Sequence, residues 1–501
     1  MTENLRVAGD LTIAGSTESA TFTGLPWDTI PRMVASTAER FGDAEALVDG
    51  DLRLTYVELV ERVRRAAGAF AALGVGKGDR VAIWAPNSAE WAIAAFGLLT
   101  AGGVLVPVNT RYKAAEAADI IVRSGAKAVL TQPGFLGIDY EVPDGVTNLD
   151  LKSDFLASGS PFEREVDGGD IADIIFTSGT TGRPKGVTMN HRQTLRLYSE
   201  WCYQADLREG DRYLIVNPFF HTFGYKAGLV ASLIRGATIL PLAVFDVDKV
   251  GELVEREKIT MLPGAPTIYH SLLEAGGKHD LSSLRCAVTG SADIPVELIR
   301  RMKAELPFQH IMTGYGLTEA GTATASRPGD SFESIATTVG APCDGIEVAV
   351  AGDGEVLIRG YSVMQGYFDD PLATAETVDA DGWLHTGDLG SLDERGYLKI
   401  VGRKKDMFIV GGFNAYPAEI EGYLLEHPAV AQAAVIGVPD ARLGEVCKAF
   451  IVRRAGAEVT AEEVMSWSKE RMAGFKAPRF VEFLDALPLN ATGKVMKDQL
   501  R

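Results

Sequence analysis

The stretch from Trp91 to Val108 constrains the fold most, because its eighteen residues include no charged side chain. Such a run either crosses a membrane or lies in a protein core. Gly102-Gly103 and Pro107 interrupt it, and Asn87/Ser88 offer a helix cap at its start. The reading that uses all of these is a buried helix ending at the glycines, followed by a buried strand Val104–Val108.

The pattern recurs along the chain. Strands are expected at Arg80–Trp84, Ala128–Thr131, Tyr213–Val216, Thr238–Pro241, Met261–Leu262 and Cys286–Thr289, with helices such as Val247–Glu257 and Pro295–Glu305 between them. This alternation predicts α/β layers with largely parallel sheets. From Gly345 the texture changes to closely spaced strands with Gly/Asp turns: Glu347–Ala351, Gly354–Arg359, Gly396–Val401 and Met407–Val410. A compact tail follows, with helix Pro417–Glu426, strand Val430–Gly437 and helix Ala461–Met472. The expected division is a flexible arm over 1–25, a large body over 26–402 and a small domain over 403–501, the last of ordinary domain size.

Charge narrows the function. Lys plus Arg number 49 and Asp plus Glu 67, a net charge of −18. Such a surface repels phosphate backbones and anionic lipid, which argues against nucleic acid as a partner. An anionic ligand is accommodated only where backbone N–H groups and a few cations gather locally. Cys202, Cys286, Cys343 and Cys447 show no metal spacing and read as reduced thiols in a cytoplasmic protein. The Thr/Ser/Gly-rich segment Met1–Gly24 lacks the basic and apolar regions of a secretory signal.

The most informative segment is Ile171-Ala-Asp-Ile-Ile-Phe-Thr-Ser-Gly-Thr-Thr-Gly-Arg-Pro-Lys-Gly186. A short apolar strand runs into Thr177, Ser178, Gly179, Thr180, Thr181, Gly182, Arg183, Pro184 and Lys185. Glycines let backbone amides approach an anion closely, the hydroxyls can donate to phosphate oxygens or reach a metal, and Lys185 adds a point charge. Pro184 stands where the common nucleoside-triphosphatase loop requires glycine. On composition alone a surface loop explains the segment equally well.

Thr177–Gly186 resembles the signature loop of the acyl-adenylate-forming enzymes, which include acyl- and aryl-CoA synthetases, firefly luciferase and peptide-synthetase adenylation domains. The resemblance runs from about Pro26 to the end. Further motifs follow in the family's order: Asn217-Pro-Phe-Phe-His221, Gly290-Ser-Ala-Asp-Ile-Pro295, Tyr315-Gly-Leu-Thr-Glu319, Trp383-Leu-His-Thr-Gly-Asp388, Gly402-Arg-Lys-Lys-Asp406 and Asn490-Ala-Thr-Gly-Lys494. The resemblance implies the adenylate-forming fold, a large layered α/β body with a β-rich unit and a small mobile α+β C-terminal domain. It also implies a two-step reaction: a carboxylate and ATP give acyl-AMP and pyrophosphate, and the thiol of coenzyme A then displaces AMP.

Residue by residue, the resemblance makes Glu319 the Mg²⁺ carboxylate, with Thr177 near the same ion. It gives Thr318 the α-phosphate and Tyr315 the adenine face. Asp388 takes the ribose hydroxyls, and Arg403 takes ribose or phosphate. Gly290, Ser291, Gly314 and Gly316 complete the nucleotide site. Lys494 bridges the attacking carboxylate and the α-phosphate, and Lys405 is the hinge. Gly411, Gly412 and Phe413 line the entry for the pantetheine arm of coenzyme A. His221 gates the acyl pocket or contacts the carboxylate, and Phe223, Tyr225, Lys226, Gly264 and Thr267 line that pocket. Lys226 stands alone in an apolar run, either paired with an acid or touching a substrate ketone.

The runs Asn217–Gly228 and Leu262–His270 resemble actinobacterial acyl-CoA ligases of the fatty-acid degradation group, in particular those acting on a bicyclic indane-dione propionate left from steroid rings. That implies a compact alicyclic propionate or an ordinary fatty acid. The chain ends soon after Lys494, so a fused carrier domain is not expected. A ligase passing acyl-AMP to a separate carrier protein is the alternative, and a non-catalytic ligand-binding or scaffold protein is a further one. The oligomeric state stays open, a homo-oligomer included.

Overall fold

The computed structural model describes residues 5–18, 24–138, 140–177, 183–290, 296–490 and 495–500. The charge-free segment divides as its sequence predicts. Ser88 caps helix Ala89–Thr100 by accepting the Trp91 N–H, and strand Val104–Pro107 follows the glycines. Every helix residue but Glu90 is buried, so the long apolar run belongs to a core. No helix among the described residues is long and apolar enough to cross a membrane. Gly97 shows why the run tolerates a poor helix former. A Cβ there would lie 2.6 Å from the Ala66 Cβ of the neighbouring helix Tyr56–Ala72. The glycine costs about 1 kcal/mol of helix propensity. The close approach buries Trp91, Phe96, Leu98 and Leu99, each worth roughly 1.5–3 kcal/mol.

Strand Arg80–Trp84 lies inside a seven-stranded sheet, parallel to Val104–Pro107 on one side and Ala128–Thr131 on the other. Strand Ile171–Thr177 joins Val104–Pro107 in parallel, Leu105 opposite Asp173. Beyond it the sheet turns antiparallel: Lys185–Asn190 pairs back on Ile171–Thr177, and Gly366–Tyr367 pairs on Lys185–Asn190. Two four-stranded sheets are mixed in the same way, with Cys286–Thr289 parallel to His310–Leu317 and Gly321–Ala325 antiparallel to it. The expected parallel sheets thus form the interior, and the antiparallel strands are added where the motif-bearing loops emerge.

The expected flexible arm is corrected over its described part. Leu5–Ala8 and Leu11–Gly15 form a hairpin, and the second strand pairs with Ile346–Val350 of a six-stranded antiparallel sheet. Ile13 packs on Ala349, Leu357 and Trp383, and Arg6 is ion-paired with Glu347. Composition hid this, because the apolar surface that receives the hairpin lies more than 300 positions away.

After strand Leu398–Arg403 a separate core forms from Phe408, Ile420, Leu424, Val430, Val446, Ile451 and Val464. Its five-stranded sheet is built around the long hairpin Val430–Asp440/Gly444–Arg453, with helices Pro417–Leu425 and Ala461–Arg471 against it. All four cysteines are buried free thiols.

The junction between strand Lys185–Asn190 and helix His191–Gln204 makes stability depend on pH. The His191 ring is 1% exposed, and its Nδ1 accepts the Ile30 N–H at 3.4 Å. Burial pushes its pKa down to about 4, against the opposing pull of Asp170 and Asp28. Between pH 6.5 and pH 4 the unfolded chain therefore binds a proton that the folded chain refuses, and stability falls as pH falls through that window. The loss attributable to His191 approaches roughly 3 kcal/mol at the lower end. Urea denaturation of wild type and His191→Gln at pH 7 and pH 4.5 should show a smaller acid loss in the variant. Equal losses would exclude His191 as the source.

Candidate active site

The signature loop is the connection of a hairpin. Thr177 and Lys185 are cross-strand partners, so the two ends of the loop are adjacent. Residues Ser178, Gly179, Thr180, Thr181 and Gly182 lie outside the described residues, as do Ser291 and Lys494. The descending limb is tied to helix Ala114–Ser124. Arg183 meets Asp119 at 2.5 Å, and Arg123, itself 3.0 Å from Asp119, donates to the Pro184 carbonyl at 2.8 Å. The Arg183 contact, with Arg123 adding to it, holds the Asp119 carboxyl below its ordinary pKa. The guanidinium of Arg183, expected at the nucleotide, is thus engaged with this helix.

Lys185 emerges beside a residue that the sequence did not single out. Its Nζ sits 4.8 Å over the ring of Tyr367, a cation–π contact. Tyr367 in turn donates its hydroxyl to Glu319 Oε1 at 3.0 Å. Burial first, and Glu319 next, push the Tyr367 phenol pKa well above its ordinary value, so it stays a donor. Glu319 and Thr318 occupy the turn between strands His310–Leu317 and Gly321–Ala325, where Leu317 pairs with Gly321. That turn requires Gly316: a Cβ there would sit 2.1 Å from the Gly321 carbonyl oxygen. Gly290 follows strand Cys286–Thr289 and passes close to Gly314, where a Cβ on Gly290 would lie 3.1 Å from the Gly314 carbonyl oxygen.

A second carboxylate is held in the same manner. Asp388 pairs across the sheet with Arg403, whose Nε lies 3.3 Å from Oδ1. Tyr315 donates to Oδ2 at 2.6 Å. Burial and the adjacent Asp388 charge raise the Tyr315 phenol far above its ordinary value, so this tyrosine too is a fixed donor. Each carboxylate oxygen accepts more than one hydrogen bond, so Asp388 retains capacity for two ligand hydroxyls.

The acyl-pocket residues are arranged differently from a simple loop. Residues Phe223–Val230 form a π-helix, a distortion frequent at functional sites. Gly224 permits its start, since a Cβ would lie 2.2 Å from the Pro218 carbonyl oxygen. His221 precedes it, half-buried, with Nδ1 accepting the Phe223 N–H at 3.2 Å. With Nδ1 accepting, a neutral ring carries its proton on Nε2. Gly264 bridges to Thr289, and Thr267 lies in helix Pro266–Ala275. Tyr225 is fully buried beside Trp91, 6.0 Å between ring centroids, and Lys226 meets Asp173 at 2.9 Å. Of the two readings of Lys226, the structure has the ion pair.

Lys405 is exposed in a turn at 404–406. Its neighbour Lys404 is pinned to the body, with Nζ 2.7 Å from Asp353 and 3.3 Å from Glu355, and its N–H on the Gly387 carbonyl. A pivot at Lys405 would thus start from a fixed residue. Gly411 and Gly412 both have positive φ and lead to Phe413, 61% exposed and stacked on Phe475 at 5.0 Å. The segment before Val495 is bracketed: Leu489 bridges Val495, and Lys497 is ion-paired with Glu421 at 2.7 Å.

Tyr367→Phe keeps the ring under Lys185 and removes the hydroxyl that aims Glu319. ATP-dependent pyrophosphate release should fall about tenfold, close to 1.4 kcal/mol, as for a hydrogen bond to a charged group. Excess Mg²⁺ should recover part of it in a release assay. Unchanged release at ordinary Mg²⁺ would show that Glu319 needs no such support.

Known proteins resemble this chain in sequence and in fold. The AMP-binding enzyme family model matches residues 34–368, and its C-terminal domain model matches 419–494. The 3-[(3aS,4S,7aS)-7a-methyl-1,5-dioxo-octahydro-1H-inden-4-yl]propanoyl:CoA ligases of Rhodococcus jostii and Mycobacterium tuberculosis are each 47% identical, over 94% of this chain and 98% of theirs. The structure of the Bacillus subtilis o-succinylbenzoate coenzyme A synthetase with ATP and a magnesium ion matches with a TM-score of 0.82 at 33% identity, over 93% of this chain and 98% of that one. By sequence and by fold, the chain belongs to the AMP-binding enzyme family.

Proposed function

We propose that this AMP-binding enzyme is an ATP- and Mg²⁺-dependent acyl-CoA ligase acting on a steroid-derived bicyclic propionate. The observation that carries the reaction is the pair of carboxylates, Asp388 and Glu319, each fixed by a tyrosine hydroxyl, with Glu319 linked through Tyr367 to Lys185 at one end of the signature hairpin. One suits a ribose diol and the other a cation. The ligases of Rhodococcus jostii and Mycobacterium tuberculosis carry the substrate class.

The metal fits the residues present. Mg²⁺ keeps phosphate and water oxygens in most of its positions and takes one or two from protein. The Tyr367 hydrogen bond fixes one oxygen of Glu319 and so aims the other, and Thr177 opens the loop. When bound, the ion would neutralise phosphate charge. In the first half-reaction a carboxylate oxygen attacks the α-phosphorus, the acyl–O–P bond forms and pyrophosphate leaves. Lys185 and Lys494 supply cations where two anions must meet, and His221 Nε2 donates toward the acid. In the second, the thiol sulfur attacks the acyl carbon and AMP departs. Rotation about Lys405 would exchange Lys494 for the Gly411–Phe413 segment at the site, a hinge transition around a fixed centre. Thr318 and Arg403 complete the nucleotide contacts. The proposed division remains 26–402 for the nucleotide-binding body and 403–501 for the mobile domain, and the buried free thiols suit a cytoplasmic location.

Lys494→Ala should cripple adenylate formation, because carboxylate and α-phosphate would then repel unscreened. It should largely spare thioester formation from supplied acyl-AMP. Equal loss in both half-reactions would refute the assignment.

Substrate class is tested by a carboxylate panel with ATP, Mg²⁺ and CoA. A ring-bearing keto propionate should exceed palmitate in kcat/KM by more than tenfold, at least about 1.4 kcal/mol of transition-state binding. A preference for palmitate would overturn the steroid reading and leave the ligase reading standing.

A further inference from the structure

Asp173 and Lys226 each interrupt an apolar run, and the fold buries them against one another. Asp173 is 0% and Lys226 2% exposed, with Nζ 2.9 Å from Oδ1. Two charges taken out of water gain little net stability from such a contact, and an apolar pair of similar volume does as well or better. The contact is also incompletely satisfied. Among the described residues, neither oxygen of Asp173 receives a well-directed hydrogen bond, and the buried Tyr225 hydroxyl next in sequence to Lys226 has no partner. Stability therefore gives a weak reason for this pair.

Its position gives a stronger one. Asp173 lies on strand Ile171–Thr177, four residues before Thr177, so the two side chains share a face and stand about 13 Å apart along the strand. Lys226 lies in the π-helix Phe223–Val230, three residues after Phe223 and five after His221. The strand ends at the phosphate loop, and the helix carries the expected acyl-pocket wall. Apolar contacts alone would let a helix slide on a strand, whereas an ion pair in a medium of low dielectric has one preferred register.

We propose that Asp173 and Lys226 are a positioning pair that sets the π-helical wall of the acyl pocket in register with the strand delivering Thr177 to the phosphates. Seating the acid and aligning its carboxylate on the α-phosphorus then depend on one buried contact. The inference rests on the ligase reading for the roles of the two elements. It differs from a ketone contact by Lys226, because the ammonium acts through the helix and does not touch substrate.

The double variant Asp173→Val with Lys226→Met replaces the pair by apolar side chains, and Asp173→Asn alone keeps its shape. ATP–pyrophosphate exchange is measured with the acid that wild type uses best and with a simple aliphatic acid, alongside thermal melting. We expect the double variant to melt within a few degrees of wild type. Its kcat/KM for both acids should nevertheless fall at least tenfold, with the KM for ATP within twofold. Asp173→Asn should show the same acid-selective loss. Wild-type kcat/KM in either variant would make the pair a structural relic and overturn the proposal. So would a loss shared equally by ATP and acid, or a loss confined to the ketone-bearing acid. If wild type exchanged pyrophosphate with no carboxylate at all, the ligase reading itself would fall, a result distinct from these.

Discussion

The antiparallel pairing of Ile171–Thr177 with Lys185–Asn190 is the interaction on which the site depends. Its register places Thr177 opposite Lys185, and the pairing on the other edge of Lys185–Asn190 places Val187 opposite Tyr367. From Tyr367 the contacts continue to Glu319, in the turn of a different sheet. A slip of one residue would turn every side chain of the strand to the other face and break this series at its first link. The same strand is bound on its inner edge to Val104–Pro107, in the most deeply buried part of the body. The loop is therefore mounted on a buried sheet.

Electrostatics at the site run against the protein as a whole. The chain carries a net charge of −18, yet Lys185 sits over the tyrosine that holds Glu319, and Arg403 is paired with Asp388. Local arrangement, and not net charge, decides what binds there. Two tyrosines add to this. Both phenols are kept protonated by burial and by the carboxylate each one faces. They orient the acids without neutralising them, the kind of preorganisation that reaction with a polyanion demands.

The approach to the C-terminal domain is anchored in the same way. Lys404 is ion-paired to Asp353 and Glu355, while Lys405 is exposed in a turn closed by the Asp406 and Met407 N–H groups on the Arg403 carbonyl. On the far side, Gly411 and Gly412 hold positive φ and present Phe413 to solvent.

Much of this was legible in the sequence, where the cause is local. Arg80–Trp84, Ala128–Thr131 and Val247–Glu257 have the boundaries that apolar periodicity and capping predict. The motifs carrying Glu319, Asp388, Arg403 and Lys405 could be named by residue type and order. Tertiary structure decided what those side chains meet. Tyr367 contacts Glu319 across 48 positions, Tyr315 contacts Asp388 across 73, and Arg183 contacts Asp119 across 64. The N-terminal hairpin lies in a Thr/Ser/Gly-rich segment and finds its place only where Ile346–Val350 offers it an edge. Lys226 was conspicuous as a charge in an apolar run, but nothing near it in sequence names Asp173 as its partner. Propensity, periodicity and capping act over a few residues and are written into them. Hydrogen bonds and ion pairs depend on strand register and helix packing, which exist only once the whole core has formed.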